Sequence, residues 1–158
     1  AKGYLSQKLI DLCKENKVAS CILSLGGNVQ TIGMKPDDTE YTVGITDPSD
    51  GSSIYGTVKV KDKAVITSGI YQRNFKKNGK LYHHIMDKRT GMPADNNLAS
   101  VTVIAENGAM ADAYATALSV MGEEKAIAFQ KKHPQIQIIL IRKDGTIYQS
   151  EKAGMLKA

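Results

Sequence analysis

Residues 98–121 read LASVTVIAENGAMADAYATALSVM, and the change of period inside this stretch decides how the rest of the chain is read. Leu98 to Ala105 is an apolar, β-branched run of strand length. Asn107-Gly108 breaks it and starts a helix, whose apolar face takes in Met110, Ala113, Tyr114, Ala117, Leu118 and Met121 before Gly122 stops the pattern. Working outward, Glu123 to Lys132 predicts a second helix halted by Pro134. Ile136 to Arg142 then pairs across Lys143-Asp144-Gly145 with Thr146 to Ser150 as a closing hairpin. Upstream, Val18 to Leu25 has the length of a buried strand, and Val29 to Gly33 and Glu40 to Thr46 follow as further strands, the last alternating through Tyr41, Val43 and Ile45. Ile54 to Val60 and Ala64 to Thr67 flank Lys61-Asp62-Lys63 and predict a hairpin; Asn78-Gly79 between Phe75 and Leu81 is a strong two-residue turn. Strands joined mostly by hairpins, with helices at the start and after the middle, predict an α+β layered domain built on antiparallel sheet.

The composition agrees with that reading. A chain of 158 residues, 42% hydrophobic and 23% charged, has the makeup of one globular domain, and no internal repeat or composition shift divides residues 1–158. No run of eighteen apolar residues is present to form a membrane-spanning helix. The formal charge is +5, but the cations are scattered, many at predicted hairpin tips and strand edges, and Trp is absent; these features argue against a nucleic-acid partner. Cys13 and Cys21 are one candidate pair and not a disulfide framework, and no Cys-x-x-Cys spacing occurs. Ala1-Lys2-Gly3-Tyr4 opens on a helix already under way, with Leu5, Leu9, Leu12 and Cys13 on one face, so the first residue reads as a cut.

Three groups of residues carry candidate chemistry. The run His83-His84-Ile85-Met86-Asp87-Lys88-Arg89-Thr90-Gly91 follows a strand and enters a turn, and a His with an Asp three residues on is a candidate acid/base pair near neutral pH. On spacing alone a structural His is the commoner outcome. Asp112 and Thr116 are four apart on the predicted helix and share a face, and their oxygens suit a hard cation such as Mg²⁺. The simpler role for the same pair is a carboxylate near the helix start and a hydroxyl bonded back to the carbonyl four residues earlier. The glycine-bounded segments Ser24-Leu25-Gly26-Gly27-Asn28, Gly33-Met34-Lys35-Pro36 and Thr67-Ser68-Gly69-Ile70-Tyr71-Gln72-Arg73 let backbone N–H groups approach a ligand, or are plain turns. Neither Gly-x-Gly-x-x-Gly nor a phosphate-binding P-loop is present.

Taken in order, Lys2-Gly3-Tyr4, Ser-Leu-Gly-Gly-Asn-Val, Thr67-Ser68-Gly69-x-Tyr71-x-Arg73, His-His-Ile-x-Asp-x-x-Thr-Gly, Ser100-Val101-Thr102-Val103 and Ala111-Asp112-Ala113-x-x-Thr116-Ala117-Leu118 resemble the ApbE family over nearly the whole chain. The resemblance implies a Mg²⁺-dependent transferase that splits FAD, passes its FMN half to a Ser or Thr hydroxyl of an acceptor flavoprotein, and releases AMP. It implies Asp112 and Thr116 as metal positions, His84 as the base with Asp87 either orienting it or shaping the turn, Lys2 and Met86 as FAD contacts, and Thr67, Tyr71 and Arg73 near the site. Lys88 stands where the family usually has Pro, which bears on loop rigidity. By the same resemblance residues 1–158 are the C-terminal portion of the flavin transferase domain, preceded in the family by a region that helps build the flavin and adenine pockets and supplies a further metal-binding carbonyl. It further implies a bacterial protein at the extracytoplasmic face of the membrane, held there by an N-terminal anchor, and leaves room for a homodimer. An FAD pyrophosphatase and a non-catalytic flavin-binding module are the alternatives that the same residues allow.

Overall fold

The computed structural model describes residues 2–158; Ala1, where the sequence reading places a cut, lies outside them. A six-stranded sheet runs through the centre in the order β1 (Cys21–Leu25), β2 (Asn28–Ile32), β5 (Ala64–Gly69), β10 (Leu98–Ala105), β11 (Gln137–Arg142) and β12 (Ile147–Gln149), every neighbouring pair antiparallel. Helices α1 (Lys2–Glu15), α2 (Gly108–Met121) and α3 (Glu123–Lys132) cover one face. Against the other face packs a three-stranded sheet of β13 (Leu156–Lys157), β4 (Ile54–Val60) and β3 (Tyr41–Thr46). The expected α+β layering with antiparallel sheet is the architecture found. No helix among the described residues is long and apolar enough to cross a membrane.

Strand β10 is buried along its whole length because both of its faces are covered. Val101, Val103 and Ala105 meet the helices together with Ala111, Ala115 and Leu118, while Ile104 meets Val43, Ile45 and Val58 of the smaller sheet. Burial of such side chains on two faces supplies the main stabilising term of the domain. Asn107 caps α2, its side chain accepting from the Met110 N–H at 3.0 Å. Glu123 in the first turn of α3 pairs with Arg142 of β11, whose Nε donates at 2.8 Å, and this ties helix to sheet.

Four expectations change. Lys61-Asp62-Lys63 is not a hairpin tip, because β4 pairs with β3 and β13 whereas β5 pairs with β2 and β10. The tripeptide carries the chain between layers, so that Val58, Val60 and Val65 pack face to face in one apolar cluster instead of edge to edge. Asp62 secures the crossing by accepting from the Gly33 N–H at 2.8 Å. The run from Val18 yields only β1, an edge strand with alternate residues exposed, where Ile22 has one side without a neighbouring strand. On α2 the buried stripe is Gly108, Ala111, Ala115, Leu118 and Ser119, and Met110 and Met121 face outward. On α1 the packed residues are Gly3, Ser6 and Ile10, while Leu5 and Leu12 are exposed.

The last two corrections share a cause. α1 lies so close to α2 that only small residues fit the seam. A Cβ on Gly3 would stand 2.2 Å from Cβ of Asp112 and 2.7 Å from the Gly108 carbonyl oxygen, and one on Gly108 would stand 2.2 Å from the Gln30 side chain. Polar bonds fill what remains: Gln7 Oε1 accepts from the Gly108 N–H at 2.6 Å, and the Ser6 hydroxyl accepts from Gln30. Helix propensity alone favours Gly3→Ala by about 1 kcal/mol. The atoms in the way are a Cβ and a backbone oxygen, neither of which swings aside, so the clash should win. Gly3→Ala is expected to lower stability in urea unfolding by about 1–3 kcal/mol; a gain would show that the seam is looser than described.

Candidate functional site

The site is built where one end of the central sheet meets α2. Gly26-Gly27 turns β1 into β2, and Lys2 Nζ reaches from α1 to donate to the Gly26 carbonyl at 3.0 Å. Asn28 follows at the start of β2. Strand alternation places it with Gln30, opposite Ile66 and Ala64, on the side covered by the helices. Asn28 is buried, and among the described residues its Nδ2 has no hydrogen-bond partner, a costly arrangement.

The same alternation aims Ser68 of β5 at α2, where its Oγ lies 3.3 Å from Thr116 Oγ1. Thr116 Oγ1 donates to the Asp112 carbonyl at 3.2 Å, so Ser68 is the donor of the pair and the Thr116 lone pairs remain acceptors. Asp112 Oδ2 accepts the Gly3 N–H at 2.9 Å, which fixes the carboxylate at the seam between the helices. The back-bonded form of Thr116 is therefore present together with a fixed carboxylate on the same helix face. These donors are hard oxygens and fit Mg²⁺. No group of three or more His, Cys, Asp and Glu occurs among the described residues, so a cation here would complete its shell from backbone, water or a phosphate ligand.

The histidines divide their roles through strand register. β6 (Asn74–Lys77) and β7 (Lys80–His83) form a hairpin around Asn78 and Gly79, both at positive φ. His83 points inward: Nε2 donates to the Ala94 carbonyl at 3.2 Å, and the buried Nδ1 has no partner among the described residues. Burial pushes its pKa down, with Lys143 and His84 adding to the effect. His84 is exposed, anchored only through its backbone N–H, which donates to the Arg73 carbonyl at 3.2 Å. Asp87 ends β8 (Met86–Asp87) at the turn that leads to β9 (Met92–Pro93), and its carboxylate accepts from Arg89 N at 2.9 Å and from Arg89 Nη2 at 2.6 Å. The Arg89 side chain and N–H hold its pKa down to about 2. Asp87 thus shapes the turn, and its carboxylate is turned to Arg89 and not to His84.

Met86 is exposed and lines an apolar groove of about 390 Å³ with Ala117, Val120 and Met121 of α2, so the segment after His84 runs along the helix one residue beyond Thr116. Thr67 and Tyr71 lie elsewhere. The Thr67 hydroxyl bonds Thr102 at 2.7 Å on the face turned toward the smaller sheet. The Tyr71 ring packs over Gly69 and Gly51 and lines a separate cavity of about 550 Å³ with Asp47, Asp50 and Arg142. Arg73 is exposed, and its carbonyl holds His84. Lys2, Asp112 and Thr116 are brought to the seam and Met86 to α2, whereas Thr67 and Tyr71 point away. Ser68 and Gly3 were not singled out as site residues, yet the alternation that sends Ile66 inward already sends Ser68 to α2.

An α+β domain that offers a carboxylate, two hydroxyls and a lysine toward one sheet end has a donor set that suits a phosphate ligand. The sequence model described as the ApbE family matches residues 1–140, and the chain belongs to that family. It is 36% identical over 151 residues to an FAD:protein FMN transferase of Klebsiella pneumoniae, covering 95% of this chain and 46% of that protein. With one of Treponema pallidum it shares 37% over 159 residues, covering 95% and 44%. Among solved structures, the ApbE protein from Thermotoga maritima superposes with a TM-score of 0.82 at 32% identity, covering 95% of this chain and 49% of that one. The flavin transferase ApbE from Vibrio cholerae gives 0.81 at 30%, covering 95% and 48%. The chain spans about half the length of the relatives it matches.

The two histidines should separate in solution. Protonating His83 would put an N–H at Nδ1 with nothing to receive it. Its folded pKa lies below the unfolded value near 6.5, so the stability it contributes is complete above about pH 6.5 and is lost as pH falls below that value. Thermal melts from pH 7.5 to 5 should therefore show a falling midpoint that flattens in His83→Gln. An unchanged slope in that variant would remove His83 as the cause.

Proposed function

We propose that the whole protein transfers the FMN half of FAD to a Ser or Thr hydroxyl of an acceptor flavoprotein, with AMP as the leaving group. The observation that carries this reading is the fixed oxygen set of Asp112, Thr116 and Ser68, with the segment that follows exposed His84 lying against the same helix through Met86, in a chain whose relatives carry the name FAD:protein FMN transferase. The acceptor oxygen attacks the phosphorus of the FMN phosphate, the bond from that phosphorus to the bridging oxygen breaks, and AMP departs with that oxygen. The hydroxyl proton goes to the His84 imidazole, which is open to a macromolecular substrate as His83 is not.

Asp112 and Thr116 would hold Mg²⁺, which when bound neutralises charge on the pyrophosphate and so lets a nucleophile approach. Gly3 and the α1–α2 seam keep the Asp112 carboxylate from turning away. Lys2 sets a positive charge at the Gly26-Gly27 turn, and this supports a role for it toward phosphate oxygens. Met86 contributes apolar surface for the flavin side. Arg73 positions His84 through its carbonyl, and the Arg89–Asp87 pair holds the turn that follows. On the family resemblance, the reaction belongs at the extracytoplasmic face of a bacterial membrane.

Incubating the whole protein with FAD, Mg²⁺ and an acceptor should add the mass of one FMN to the acceptor and release AMP. His84→Ala and Asp112→Ala should each slow that labelling by about 100-fold or more. Labelling unchanged in both variants would overturn the assignments. Free FMN and AMP formed equally fast without acceptor would replace transfer by hydrolysis, and FAD bound without AMP release would replace it by a binding role.

A further inference from the structure

The β6–β7 hairpin has two unlike faces. Asn74, Lys76, Leu81 and His83 alternate onto one, where Leu81 and His83 rest near Ile70, Pro93 and Ala94. The other face is a ladder of two cross-strand pairs, Lys77 opposite Lys80 and Phe75 opposite Tyr82, and just past the strand ends a backbone bond of 3.2 Å joins the His84 N–H to the Arg73 carbonyl and continues the same alternation. The aromatic rings stack at 5.2 Å with 7° between their planes, and Lys80 Nζ lies 5.9 Å from the Tyr82 ring. Phe75 nevertheless remains 61% exposed. Residues 73–84 contain Arg73, Lys76, Lys77 and Lys80 and no Asp or Glu.

Each feature is unfavourable in isolation. Like charges directly opposite one another weaken a strand pair, and an isolated two-stranded ribbon is marginal. A stacked aromatic pair left in water forgoes the burial that makes aromatic residues useful. All three are relieved by one kind of occupant: an extended polypeptide that covers the rings and carries carboxylates over the lysines. Its position is set by the inner end of the ladder, because that end leads to His84. A hydroxyl delivered to His84 from solvent brings its flanking chain across the ladder. The aromatic rung lies two residues out, at about 7 Å, and the lysine rung four residues out, at about 13 Å.

We propose that the outer face of the β6–β7 hairpin, the rungs Lys77–Lys80 and Phe75–Tyr82 leading to Arg73–His84, docks an extended acidic segment of the acceptor protein flanking the hydroxyl that receives FMN. This rests on the transferase reading, and it goes further in naming the surface and the chemistry that select the acceptor. Attraction between lysines and carboxylates at an exposed site also makes docking sensitive to salt.

The test uses the whole protein and a short fluorescein-labelled peptide with one Thr flanked by acidic residues, read by fluorescence anisotropy, beside a neutral peptide of the same length. The wild type should bind the acidic peptide more tightly than the neutral one. Lys77→Glu/Lys80→Glu and Phe75→Ala/Tyr82→Ala should each weaken acidic-peptide binding by about tenfold, or 1.4 kcal/mol, and leave FAD affinity within about twofold. A peptide with Lys in place of its acidic residues should regain affinity for the Lys→Glu variant. Equal peptide binding by wild type and both variants would overturn the proposal. So would a loss of FAD affinity with peptide binding retained, or binding to anionic vesicles lost in the variants while peptide binding is untouched. Peptide binding lost in the variants, alongside a wild type that never labels the Thr, would sink the transferase reading and leave the docking surface standing.

Discussion

The hydrogen bond from the Gly3 N–H to Asp112 Oδ2, at 2.9 Å, can form only because α1 and α2 touch where neither has a side chain to keep them apart. Much of the local architecture follows from that approach. Gln7 reaches the N-terminus of α2, Ser6 meets Gln30 of β2, and the two helices become one layer above the β1–β2–β5 end of the sheet. The carboxylate proposed to hold the cation is the same group that closes the seam. Packing and chemistry are therefore coupled: an ionised carboxylate at a helix–helix contact would be costly without a donor, and the free N–H groups of a helix's first turn supply one. Lys2, one residue away on the same turn, is delivered to Gly26 by the same placement.

The layering leaves the middle of the sheet mostly apolar, and polar side chains within it bond one another in place, Thr102 with Thr67, or bond the adjoining helix, Gln30 with Ser6. Toward the β1–β2 turn the Asn28 amide is unpaired among the described residues, and Ser68 and Thr116 bond each other across the gap between sheet and helix.

The class of fold was legible because period and turn chemistry agree over long segments: the β10–α2 stretch, the Asn78-Gly79 turn and the closing hairpin all have the elements their patterns predict. What was not legible came from layer assignment and helix rotation. Ile54–Val60 and Ala64–Gly69 have strand patterns and a turn-like tripeptide between them, and nothing local tells a hairpin from a crossing between sheets; the deciding interaction is Val58 and Val60 against Val65 across layers. On both helices the hydrophobic spacing points to one packed face, whereas the close seam selects glycine, serine and alanine. The site followed the same rule. Asp112, Thr116 and Lys2 could be found by motif and lie at the seam, but motif adjacency also swept in Thr67 and Tyr71, which strand alternation and the glycine cradle send to other surfaces.

Register gives the last link between fold and chemistry. His83 and His84 are identical in type and adjacent in sequence, yet His83, the last residue of β7, is a buried ring and His84, just past the strand, is an exposed candidate base. A slip of one residue would exchange them. Such a slip is opposed at both ends of the segment. Asn78 and Gly79 supply the two positive φ values that a tight turn of this kind needs, and beyond the histidines Asp87 binds its own turn through Arg89. An Asp held at a pKa of about 2 by a guanidinium is a poor proton partner for a histidine at neutral pH, and it makes a durable clamp for a loop. In the His-x-x-Asp spacing, then, the carboxylate is engaged by Arg89 in the turn that follows, and the histidine is held from the other side, through its N–H to the Arg73 carbonyl.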